Sequence, residues 1–78
     1  MSTPAFHTAL VSDVFRGGRV LELIENSTGD EVAEVFRCDL SGAMTISLFR
    51  HALPLGEVEE LVRRAKIELP PPWSRSLD

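Results

Sequence analysis

Apolar and polar residues alternate with a period of two through Met44-Thr45-Ile46-Ser47-Leu48. Met44, Ile46 and Leu48 fall on one side and Thr45 and Ser47 on the other, which is the pattern of a β-strand. Two upstream runs, residues 19–25 and 31–38, are rich in β-favouring side chains and flanked by turn formers, so each predicts a further strand. The intervening loops read Asn26-Ser27-Thr28-Gly29-Asp30 and Asp39-Leu40-Ser41-Gly42-Ala43. Each opens with Asn or Asp and places glycine three positions later. An Asx side chain can cap a turn, and glycine accepts the left-handed conformation that follows, so both loops predict three-residue hairpins with a bulge.

Such turns fix the register. The first sets Ile24 opposite Val32, Glu22 opposite Glu34 and Val20 opposite Phe36. The second sets Cys38 opposite Met44, Phe36 opposite Ile46 and Glu34 opposite Leu48. One face then carries Val20, Ile24, Val32, Phe36, Cys38, Met44, Ile46 and Leu48, the expected core. The other carries Leu21, Leu23, Ala33, Val35 and Phe49 among Arg37, Thr45 and Ser47.

Beyond the sheet, Leu55, Val58, Leu61, Val62 and Ala65 recur at helical spacing. Pro54 suits the first turn, glutamates lead and basic residues follow, and Pro70-Pro71-Pro72 ends the run, so a helix is expected over 54–68. Glu59 with Arg63 and Glu60 with Arg64 are spaced as i,i+4 pairs. Phe6, Leu10, Val11, Val14 and Phe15 fit a helical stripe, whereas β-branched and aromatic content and a two-residue Gly17-Gly18 turn favour a strand. The fold class is α+β: an antiparallel meander of three to four strands with one C-terminal amphipathic helix on one face. Residues 1–69 form a single domain, with 1–17 open between strand and helix, and 70–78 form a Pro-rich tail favouring an extended conformation.

With 78 residues the chain supports one core. The net charge of −4 and the absence of a basic patch disfavour nucleic acid and anionic membranes as partners. No apolar run approaches a bilayer span, and the first residues lack a signal-peptide pattern, so a cytoplasmic location is expected. Cys38 stands alone and forms no intrachain disulfide.

Glu22 and Glu34 are the notable chemical pair, since two adjacent carboxylates can raise one pKa; Asp13 is a candidate third member. Cys38, His7 and His51 lack metal-ligand spacing, and Arg16-Gly17-Gly18-Arg19 lacks the following helix a phosphate loop needs. No catalytic residue, cofactor or metal is indicated. One helix covers one sheet face, leaving Leu21, Leu23, Val35 and Phe49, with Trp73 from the tail, as an apolar surface. These features favour a non-enzymatic protein-interaction module that self-associates as a homodimer. The alternative is a small ligand-binding or enzyme domain using the Glu22/Glu34 carboxylate pair. Charge and size alone also fit an antitoxin- or immunity-type inhibitor of a basic partner.

Overall fold

A computed structural model of the chain describes residues 4–74. Four strands, β1 (Phe6–Asp13), β2 (Gly18–Glu25), β3 (Glu31–Cys38) and β4 (Met44–Leu48), form an antiparallel meander in the order β1-β2-β3-β4. Helix α1 (Leu55–Glu68) follows. The ambiguous N-terminal segment is thus a strand.

One turn closes all three hairpins. The loops are four residues long (14–17, 26–29 and 39–42), and each ends in a glycine at positive φ: 70° at Gly17, 77° at Gly29 and 74° at Gly42. In the last two, the glycine N–H donates to the final strand carbonyl, Glu25 or Cys38, at 2.8 Å. The Thr28 and Ser41 hydroxyls accept the N–H two residues on, each at 3.1 Å. The expected positive φ is present, but the loops are one residue longer than expected, and Gly17-Gly18 is not a two-residue turn. Asp13 pairs with Gly18 instead.

The extra residue changes the register. In the β2–β3 hairpin a bulge at Val32 absorbs it: Ile24 pairs with Glu31, Leu23 with Ala33, and the expected Glu22–Glu34 and Val20–Phe36 pairs are restored. The β3–β4 hairpin has no bulge. Val35 pairs with Ile46, Phe36 with Thr45 and Arg37 with Met44, one residue away from expectation. A one-residue slip turns a strand over, so Met44, Ile46 and Leu48 lie on the face of Leu21, Leu23, Ala33 and Val35.

That is the face α1 covers, contrary to expectation. Leu21, Leu23, Ala33 and Val35 are buried with Leu61, Ala65 and Leu69; Val32 joins them through the bulge, and Phe6 and Leu53 pack against the cluster. Val20, Ile24, Phe36 and Cys38 belong to the opposite face, where Glu22 and Glu34 also lie. Burying those carboxylates beneath a helix would cost several kcal/mol, which accounts for the choice of face. Pro54 is the N-cap of α1. The helix ion pairs are Glu60–Arg63 and Arg64–Glu68, not the two i,i+4 pairs expected.

The tail is docked as far as it is described. The guanidinium of Arg37, itself buried, donates from Nη1 to the Pro70 carbonyl and from Nη2 to Asp39 at 2.6 Å. A helical turn, Pro72–Ser74, then lays Trp73 against Gly42, so close that a Cβ there would sit 2.4 Å from the indole ring. The remainder of the expected 70–78 tail lies outside the described residues.

Candidate functional site

The helix-free face gathers the acidic candidates. Cross-strand pairing brings Glu22 opposite Glu34, and Glu31, opposite Ile24, completes a group of three carboxyls. Glu34 is only 5% exposed. The β1–β2 turn folds Arg16 back over this face: its Nη1 donates to Glu34 and its Nε to Asp13, each at 2.6 Å. The guanidinium also stacks 4.7 Å from the centre of the Phe36 ring. Asp13 therefore joins the network through Arg16 and is held below the usual carboxylate range by that contact.

Glu31 is the member that sequence reasoning missed. Burial first, then the charges of Glu22 and Glu34, push its carboxyl up to about 7. As a carboxylate, its buried Oε2 has no hydrogen-bond donor; when protonated, it can donate to a neighbouring carboxylate. The visible clue was the glutamate spacing in Glu31-Val32-Ala33-Glu34: only a bulge places both acids on one face. Among the described residues, no group of three or more His, Cys, Asp or Glu is arranged to hold a metal ion.

The other candidates stay apart from this network. His7 Nδ1 bonds the Asn26 side-chain oxygen, and Cys38 is partly buried, its thiol lowered by hydrogen bonding to Ser41. His51 is exposed in the connection to α1. Arg16 and Gly17 belong to the β1–β2 turn, and Gly18 packs so tightly that an added Cβ would meet the Arg37 carbonyl oxygen at 2.0 Å.

The expected apolar surface requires correction. Leu21, Leu23 and Val35 are core residues beneath α1, whereas Phe49 and Trp73 are exposed. Exposed apolar area lies instead along β4, where Met44, Ile46 and Leu48 are exposed beside the helix. A groove of ≈190 Å³ runs there, lined by Val35, Met44, Ile46, Val62 and Ala65, with Thr45 and Lys66 at its rim. Helix α1 reaches over β2 and β3 but leaves β4 largely uncovered.

The backbone of β4 is open as well. Cys38 N–H donates to Ala43 and Phe49 N–H to Val32, so the odd-numbered residues of this strand face β3. The N–H and C=O groups of Met44, Ile46 and Leu48 point outward. The strand has no charge, proline or bulge to blunt its edge.

No family model matches this chain, and neither a curated protein nor a solved structure matches it. No helix among the described residues is long and apolar enough to cross a membrane.

Proposed function

We propose that this domain is a non-enzymatic protein-interaction module that receives an extended segment of a partner polypeptide along β4. The observation that carries this reading is the coincidence of an open strand edge with an apolar groove on the same flank. Backbone groups of Met44, Ile46 and Leu48 offer the hydrogen bonds of strand addition, and the groove beside Val62 offers a pocket for alternate side chains. Lys66 at the rim, which has no ion-pair partner among the described residues, suits an acidic group on the incoming segment. A cytoplasmic setting, with Cys38 as a free thiol, is consistent with this reading.

The test is Ile46→Lys. Ile46 is 44% exposed in the free domain, so a lysine there can reach water while placing a charge on the edge. Immobilised native domain is expected to retain a partner that the equally folded variant does not. Equal retention by both would refute the β4 site.

A ligand-binding role for Glu22/Glu34 has one observation in its favour, the proton that Glu31 holds toward neutral pH. Against it, Arg16 already occupies Glu34, and the concavities beside α1, at the hairpin end and at residues 4–27 are lined by other residues.

A further inference from the structure

The sheet has a second open edge, β1, and we infer that it pairs antiparallel with β1 of a second copy of this chain about a two-fold axis at Leu10. The edges are on opposite margins of the sheet, so such a dimer leaves both β4 grooves free. Either surface can fail its test without affecting the other.

Backbone geometry sets the phase of pairing. Asn26 N–H donates to the Ala5 carbonyl, which fixes the odd-numbered residues of β1 as those bonded to β2. The N–H and C=O groups of Phe6, Thr8, Leu10 and Ser12 therefore point away from the sheet. An axis at Leu10 brings these same groups into register with their mates, Leu10 with Leu10 and Thr8 with Ser12, for about six inter-chain hydrogen bonds.

The side chains agree with that axis. It sets Ala9 opposite Val11, hydroxyl opposite hydroxyl at Thr8 and Ser12, and His7 opposite Asp13 at each end of the interface, so no like charges meet. The β4 edge is shorter, five residues against eight, and has no charged pair to fix a register.

The same axis covers two of the three most exposed apolar side chains among the described residues; the third, Leu40, lies in the β3–β4 turn away from this edge. Val14 and Phe15, at the tip of the β1–β2 turn, are 81% and 99% exposed. Continued past Asp13, the pairing sets Val14 beside the mate's Phe6 and Phe15 beside its Ala5. There, Pro4, Ala5, Asn26 and Ser27, with Glu25 that is paired to Arg50, line an open concavity of ≈350 Å³. A projecting phenyl ring and a concavity therefore meet twice, once in each direction, as a self-complementary interface requires. Leu10 and Val11, each 41% exposed, add to the contact. Of these four side chains, Phe15 contributes most, since an aromatic side chain can bury about 150–250 Å².

Sedimentation of the purified chain from about 1 µM to about 1 mM is expected to show a monomer–dimer equilibrium. Phe15→Ser should weaken that equilibrium at least ~10-fold while leaving the unfolding midpoint of the dilute monomer unchanged, because Phe15 is fully exposed there. Register is tested by cysteine cross-linking in a Cys38→Ser background. Leu10→Cys should cross-link on mild oxidation, since paired Cα atoms about 5.5 Å apart lie within disulfide reach. Ser12→Cys, on the same face, should not, because its copies are offset by four residues, ~14 Å along the strand. A monomer across the whole range would overturn the inference and leave the edge to a different polypeptide. So would a Phe15→Ser dimer of undiminished affinity, equal cross-linking at Ser12→Cys, or cross-linking at Ile46→Cys in place of Leu10→Cys.

Discussion

Replacing Glu31 with glutamine should stabilise this domain at pH 8 and leave it nearly unchanged at pH 5. In the folded chain the Glu31 carboxyl is pushed up to about 7, by burial and by the Glu22 and Glu34 charges. In the unfolded chain it titrates near 4.5, the ordinary glutamate value. Between those values the folded state binds a proton that the unfolded state does not, so the unfolding free energy falls as pH rises from about 4.5 to 7, then levels off. The full shift corresponds to about 3 kcal/mol. Solvent access and sharing of the proton among three carboxyls reduce this to about 1–2 kcal/mol. Glutamine cannot ionise, so the variant should recover about that amount at pH 8, a midpoint rise of roughly 4–16 °C for a domain of this size. On the acid side the sign reverses. Glu25, held down to about 2 by its bonds with Arg50, and Asp13 and Glu60, both also lowered by arginine partners, contribute stability present above about 4.5 and lost as pH falls below it. The native protein should therefore be most stable near pH 5. Thermal unfolding of both proteins from pH 3 to pH 9, at fixed ionic strength, measures this directly. A native midpoint that climbs from pH 5 to pH 8, or a Glu31→Gln variant less stable than native at pH 8, would refute the proposed charge crowding on this face.

Gly29→Val and Gly42→Val should both destabilise the fold, because each forces a β-branched residue to positive φ. Gly42→Val should cost more in urea unfolding, since its side chain would also displace Trp73, whereas Gly29 faces open space. Leu61→Ala, at a fully buried position, should cost about 2–5 kcal/mol by the same measurement; an unchanged midpoint would contradict the packing of α1 on β2 and β3.

Much of the architecture was legible in local pattern. Alternation located three strands, the Asx-to-Gly loops located two turns, and the Leu55–Ala65 spacing located the helix. The Glu22–Glu34 pair was also legible, because a bulge at Val32 offsets a loop one residue longer than its sequence predicts. The same extra residue had no compensation at Met44–Leu48, so the face of β4, the face of α1 and the apolar surface left uncovered were all inverted together. Parity is a long-range property: a single residue, invisible in alternation within any one strand, decides which side of every later strand meets the core. Glu31 escaped notice because its partners come from a neighbouring strand and from across a bulge, and its pKa arises only when all three carboxyls share one face.

The placement of the bulge has a physical reason that the repeated turn makes visible. All three hairpins close with four residues ending in glycine, so without correction each would continue in simple register. An uninterrupted β2–β3 hairpin would set Glu34 opposite Leu21, beneath the helix, and send Ala33 and Val35 to the open face. The bulge keeps Val32 in the core, returns Ala33 and Val35 to the helix side, and turns Glu34 out toward Arg16. Removing one carboxylate from an apolar interior is worth several kcal/mol, more than the local disruption of a ladder by one unpaired residue. In the β3–β4 hairpin the balance is opposite. Simple register already places Met44, Ile46 and Leu48 on the helix side and Thr45 and Ser47 on the other, and a bulge there would exchange them. One turn thus serves three hairpins, and the charges on the strands decide where its register must be broken. The unbroken hairpin leaves β4 regular, uncharged and apolar on the helix side, the features on which the proposed strand addition rests.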